Sequence, residues 1–213
     1  MLNALRIALP ILLVSTAVVA QGFKPIELPK PDTIGGKPLM QVLKNRHSSR
    51  EFSADTLPMP VLSNLLWAAC GINRAGEGKR TSPSAMNWQE IDVYVATAHG
   101  LFLYDPIKHV LQPVLSEDIR EKAGMQPFVK EVPVNLVYVA DMKKTGERSD
   151  ADKSFYTAAD AAFVSENVYL YCASEGLATV VRGLVDREAL AKAMKLRADQ
   201  KIILAQSVGY PKK

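Results

Sequence analysis

The sequence predicts an α+β domain built on a mixed, mainly antiparallel sheet flanked by helices, with one long helix at its centre. Three observations predict it. Between Ile91 and Val114, short alternating runs are separated by turn residues, as in a β-meander. Val134–Ala140 is an unbroken apolar run, as expected of a strand covered on both faces. Ser154–Glu175 carries small and apolar residues all the way round a helical projection, which implies burial on every side. The chain has 213 residues, 48% of them hydrophobic and 23% charged, enough for one domain with a sizeable core.

The N-terminus differs from the rest. Arg6 precedes an apolar run from Ile7 to Ala20, which ends Val18-Val19-Ala20 before Gln21-Gly22. That pattern describes a secretory signal peptide over residues 1–20. The alternative is a membrane anchor, although the run is shorter than the ~20 apolar residues of a spanning helix. No cysteine follows the junction, so lipoprotein attachment is excluded. The expectation is an exported protein, periplasmic or secreted, with no stable membrane insertion after cleavage. Residues 21–38, with prolines at 25, 29, 31 and 38, should be extended and could wrap the domain or a partner subunit. The domain proper is residues 39–213.

Within it, Leu39–Asn45 reads as a short helix after Pro38. Pro60–Ala69 is a second, with proline in its first turn and Gly71 as its stop. Ile72–Asn87 reads as a loop. Strands follow at Ile91–Ala98, Leu101–Tyr104 and His109–Val114, then at Val134–Ala140. The helix Ser154–Glu175 ends at Gly176 as a C′ glycine would end it; it is either a central core helix or one shared with a second subunit. Strand Ala178–Val181, helix Asp186–Met194 with Asp186 as N-cap, and strand Ile202–Val208 complete the layout.

The net charge of +4 is scattered rather than clustered, which argues against nucleic-acid binding and leaves a cationic surplus for an anionic ligand. Cys70 and Cys172 lie in apolar, helix-like contexts; export permits a disulfide, and two buried thiols are equally compatible. No Cys/His cluster has metal spacing, and no glycine-rich nucleotide fingerprint is present. Of the three histidines, His99 and His109 fall at turns and strand ends, where surface positions are expected.

Three segments could carry chemistry. Arg46-His47-Ser48-Ser49-Arg50 concentrates donors suited to phosphate, although cations there would also suit the end of the preceding helix. Arg80-Thr81-Ser82-Pro83-Ser84-Ala85-Met86-Asn87-Trp88-Gln89 is a turn-rich loop feeding a strand, able to present Ser84 and Asn87 to a ligand. Gly176–Gly183 links the long helix to a strand ending at Arg182-Gly183, where glycine allows close backbone approach. In this order, with Val208-Gly209-Tyr210-Pro211 at the end, the segments resemble the nitroreductase family of FMN-dependent oxidoreductases. Leu66–Arg74 is similar to the compact branch that includes the SagB-type dehydrogenases.

The resemblance implies FMN as cofactor and a homodimer with the long helix at its interface. It also implies two-electron transfer at flavin N5 to or from a small acceptor, with no protein acid or base required. It places Arg46, His47 and Ser48 towards the ribityl phosphate and pyrimidine edge, and Arg50 near N1/O2, where a cation stabilises the reduced ring. Pro83, Ser84 and Asn87 would hold the isoalloxazine, often from the partner subunit; backbone at Arg182 and Gly183 would face N5. Met86, Trp88 and Phe128 are candidates for the substrate side. In two respects the chain departs from the family. The usual basic pair beyond the last strand is represented only by Lys212 and Lys213, and the position of Arg182 is often acidic. An exported non-catalytic binding protein and a SagB-like peptide azoline dehydrogenase are the alternatives.

Overall fold

In the computed structural model, residues 23–213 are described; the expected signal segment, residues 1–20, lies outside them. Nine strands and four α-helices occur among the described residues. Seven strands form one sheet: β1 (Ile26–Glu27), β4 (Ile91–Thr97), β5 (Gly100–Asp105), β6 (Val110–Leu115), β7 (Val134–Asp141), β8 (Ala178–Arg182) and β9 (Gln200–Gly209). Their order is β1-β6-β5-β4-β7-β9-β8. Every pairing is antiparallel, so the sheet is more uniform than the mixed one expected. The meander β4-β5-β6 forms as the alternation implied, turning at Gly100, whose φ of +131° few L-residues adopt.

All eight residues of β7 are buried, because the strand is both central in the order and covered on both faces. One face packs against α2 (Met59–Cys70) and α3 (Asp150–Glu175) through Leu65, Leu66, Leu136, Tyr138, Val164 and Val168. The other packs Val137, Val139 and Ala205 against single-turn segments around residues 120–130 and α4 (Arg187–Ala193). Burying side chains of this size contributes about 1.5–3 kcal/mol each. The remaining helix, α1 (Leu39–Asn45), lies against α3.

α3 begins one turn earlier than its apolar pattern suggests. Ser149 accepts the Asp152 N–H at 3.1 Å, and Asp150 and Asp152 sit in the first turn, so a polar stretch is helical through its cap and dipole. Gly176 closes the helix at φ 72°. The expectation of burial on every face resolves into two halves. Asp160, Ala161, Val164, Val168, Tyr169 and Cys172 face the core, whereas Phe155 (70% exposed) and Phe163 (48%), with Ala162, face outwards.

The segment Ile72–Asn87 is not a plain loop. Its first part folds into a small hairpin of β2 (Ile72–Arg74) and β3 (Lys79–Arg80), closed by Gly78 at φ 63°. The N-terminal extension wraps its own domain: β1 pairs with β6, the Ser63 hydroxyl donates to the Pro29 carbonyl, and the Lys37 N–H donates to Ser174 Oγ. His109 is therefore half-buried rather than on the surface. Its ring lies 2.7 Å from Ser63 Oγ and 2.9 Å from Tyr104 Oη, and burial pushes its pKa down. His99 is exposed. Cys70 and Cys172 are free, buried thiols, and burial pushes Cys70 up to about 11.

Leu66 is fully buried between α2 and the sheet. Leu66→Ala should cost about 2–5 kcal/mol in urea or thermal unfolding; a loss under 1 kcal/mol would mean that this core is not packed as described.

Candidate functional site

The arginine-rich segment leaves α1 in an extended conformation, with Arg46 at φ −59°, ψ 121°. It is fastened to the end of the sheet by backbone and by a tyrosine. The Ser49 N–H donates to the Thr179 carbonyl of β8 at 2.9 Å. The Tyr169 hydroxyl of α3 accepts the Val181 N–H at 2.9 Å and lies 2.8 Å from Ser48 Oγ. With one lone pair occupied by that N–H, the phenol is free to donate its own proton to Ser48. The Arg46 guanidinium sits over the same ring, 5.3 Å from its centroid, a cation–π arrangement. The segment Arg46–Arg50 and the strand leading to Gly183 are thus neighbours.

The C-terminal tail arrives at the same place. Phe52 bridges Pro211, and the Lys212 N–H donates to the Glu51 carbonyl at 3.3 Å. The Lys212 backbone therefore runs alongside Glu51, the residue after Arg50. Among the described residues, none of Arg46, Arg50, Lys212 and Lys213 is in an ion pair, which leaves concentrated positive charge at the surface. His47 is exposed, its Nδ1 2.7 Å from the Asn45 carbonyl at the end of α1.

Arg182 and Gly183 part company. The Arg182 side chain is 4% exposed and turns to the sheet face opposite α3. There it donates to the Ala123 carbonyl at 2.7 Å and to Asn135 Oδ1 at 3.0 Å. Burial lowers its pKa to about 10, so it stays charged at neutral pH and braces the 120–130 segment. A Cβ at Gly124 would collide with that guanidinium. Only the backbone of Arg182 remains available to a ligand. Gly183 is exposed, and a Cβ built there meets nothing within 4 Å. Phe128 stacks on Phe52 with centroids 5.6 Å apart, which places it next to the arginine segment.

The second donor set hangs from the opposite flank of α3. Ser84 Oγ accepts the Gln89 N–H at 2.9 Å, and Asp160 Oδ2 accepts the Ala85 N–H at 2.8 Å. Asn87 and Pro83 are exposed. Met86 is 49% exposed, and Trp88 packs edge-on against Tyr156. Asp160 and Tyr169 are nine positions apart on α3, which corresponds to a rise of about 13 Å and a rotation of about 180°. One chain therefore brings Arg46, Ser48, Arg50 and Gly183 together and holds Pro83, Ser84 and Asn87 on the other side of the helix.

Comparison with known proteins bears on the fold. The Nitroreductase family pattern matches residues 43–210. The chain belongs to the nitroreductase family. A nitroreductase-like protein of Ralstonia eutropha is 44% identical, with a TM-score of 0.86 over 92% of this chain and 93% of that one. A nitroreductase-like protein of Methanocaldococcus jannaschii is 29% identical over 183 residues, 81% of this chain and 90% of that protein. A nitroreductase-like protein of Desulfovibrio desulfuricans crystallised with FMN is 18% identical, with a TM-score of 0.61 over 84% of this chain and 89% of that one, and shares the fold.

Sequence reasoning missed Tyr169, Asp160 and Glu90. Tyr169 falls at core spacing in α3, so nothing separates its hydroxyl from an ordinary core tyrosine. Asp160 is more visible, as a lone carboxylate inside Ala158–Ala162. Because the Arg182 head group satisfies buried acceptors, Arg182→Ala should destabilise this nitroreductase-family chain by about 2–4 kcal/mol. Arg46→Ala, half-buried over Tyr169, should cost no more than about 1 kcal/mol; chemical denaturation of both variants separates the buried brace from the cation over the tyrosine.

Proposed function

We propose that the protein is a homodimeric FMN-dependent oxidoreductase whose flavin site takes Arg46, His47, Ser48, Arg50, Arg182 and Gly183 from one chain and Pro83, Ser84 and Asn87 from its partner. The observation that carries the reading is the coincidence, at one end of the sheet, of unpaired guanidiniums with an open backbone at Gly183. That donor set fits a flavin mononucleotide: cations and the Ser48 hydroxyl suit its phosphate, and bare backbone suits the edge of a planar ring. When bound, FMN would supply two-electron transfer at N5 to or from a small acceptor.

The protein residues then have distinct tasks. Arg46, steadied over Tyr169, and Lys212 or Lys213 neutralise the phosphate. Arg50 supplies positive charge to the pyrimidine edge and so favours the reduced cofactor. Met86, Trp88 and Phe128 would border the acceptor. The outward face of α3, with Phe155, Ala162 and Phe163 in water, supports a second subunit, since apolar patches of this kind mark contact sites. A partner packed there would supply the loop that one chain keeps on the far flank. Azoline oxidation in a peptide, implied by the SagB-type likeness, would use the same residues, with the azoline as the two-electron donor that reduces the flavin and a separate acceptor reoxidising it.

The test is a fluorescence titration of purified protein with FMN, followed by redox titration. Arg46→Ala should weaken FMN binding by about 10- to 100-fold, as expected from the ~1.5–3 kcal/mol of a hydrogen bond to a charged group. Arg50→Ala should lower the midpoint potential more than Arg46→Ala does. Wild-type protein that ignores FMN would favour a non-catalytic role for the fold, and equal effects of the two variants would undo the division of tasks.

A further inference from the structure

Beneath the loop that carries Ser84 and Asn87 lies a pair of carboxyl groups to which the proposed reaction gives no task. Glu90, at the entry to β4, is 0% exposed, and neither of its side-chain oxygens has a hydrogen-bond partner. Its neighbour is Asp160 of α3, 3% exposed, the residue that holds the Ala85 N–H. The charged groups around them are few. β3 brings Arg80, whose Nη1 donates to the Ile91 carbonyl at 3.1 Å. β7 brings Asp141, whose carboxylate is turned to Arg197 at 2.8 Å. Neither Glu90 nor Asp160 forms an ion pair among the described residues.

Two adjacent carboxylates withdrawn from water cannot both ionise cheaply. Desolvation, with a smaller push from the facing Asp160, outweighs the backbone hydrogen bond and the Arg80 charge that favour ionisation, and holds Glu90 up at about 7; burial raises Asp160 as well. A proton on Glu90 supplies the missing donor: its O–H can bond to Asp160, whose Oδ2 keeps the Ala85 N–H. The loop attached there needs holding. Met86 (φ 51°), Asn87 (φ 56°) and Gln89 (φ 51°) all lie in the left-handed region, which asparagine tolerates but which costs Met86 and Gln89 about 1–2 kcal/mol apiece.

We propose that Glu90 and Asp160 share one proton, and that this proton positions the Ser84–Gln89 loop for the cofactor. With the proton in place, α3 grips the loop through Ala85. Without it, two like charges face each other and the strained turn relaxes away from the helix. Both are positioning residues, acting through Ala85 rather than on the flavin. The inference rests on the reading that this loop holds FMN. The sign follows from linkage: a carboxyl held more strongly protonated in the folded chain contributes fully below pH ~4.5 and loses its contribution as pH rises through about 7.

The test compares wild type with Glu90→Gln, which stays neutral and can still donate to Asp160. Asp160→Asn is the second variant should the first fail to fold. From pH 5.5 to 8.5, amide exchange at Ala85–Gln89 and the melting temperature are followed on the FMN-free chain, and FMN affinity by fluorescence. Relative to Glu90→Gln, wild type should lose about tenfold in affinity at high pH, the worth of one pKa unit of coupling. Once exchange is corrected for its intrinsic rise with pH, the wild-type loop should lose protection and the melting temperature fall, while the variant's protection factors and melting temperature change less. A flat wild-type profile, or an unchanged slope in Glu90→Gln, would overturn the proposal. If FMN binds at no pH, the functional reading falls, and the two FMN-free profiles still decide for or against the shared proton.

Discussion

A helix that is apolar on two sides has to find two partners, and α3 finds one of them inside its own chain. Its inner face, from Ala161 through Val168 to Cys172, fills the core against β7 and α2. Its outer face leaves Phe155 and Phe163 in water. The edges between these faces are where polar groups can be both anchored and reachable, and each edge carries one. Tyr169 ties the arginine segment to β8; Asp160 ties the Ser84–Gln89 loop. The distribution of polar groups around a single helix thus sets where every proposed cofactor ligand sits. In a homodimer joined across the outer face, the two flanks that one chain keeps apart would meet pairwise.

Rigidity behind these anchors comes from a buried polar network rather than from packing alone. Tyr138 Oη donates to Gln206, which in turn donates to Thr179 Oγ1 and towards the Ser165 carbonyl, and Thr179 donates to the Ser207 carbonyl. On the opposite sheet face, Asn135 accepts from Arg182 and Ser207 and donates to the Val129 carbonyl. Buried networks of this kind are costly if half-satisfied and stiff if complete. Both converge on β8, the strand whose end presents Gly183.

Much of the fold was legible because its signals are local. Alternation marked the meander, the apolar run marked β7, and the capping residues opened α4 at Asp186 and closed α3 at Gly176 where expected. What the sequence hid depends on long-range geometry. Arg182 stands at a strand end whose backbone was expected to face the flavin, and only the approach of the Ala123 carbonyl and Asn135 from other elements shows that its side chain is buried. The left-handed turns at Met86, Asn87 and Gln89 follow from the grip of Asp160, seventy-five positions from Ala85, not from glycine. The arginine segment was visible by composition, whereas its anchor, Tyr169, looks like any core tyrosine.

The central claim is that a flavin site is assembled from two chains, and subunit mixing tests it directly. Co-expression of Arg46→Ala and Asn87→Ala chains gives mixed dimers in which the two defects fall on the same site and spare the other. FMN titration should then recover wild-type affinity in about a quarter of all sites, while neither variant alone shows it. If no tight site returns on mixing, each chain builds its site from its own residues, and the division across α3 is wrong.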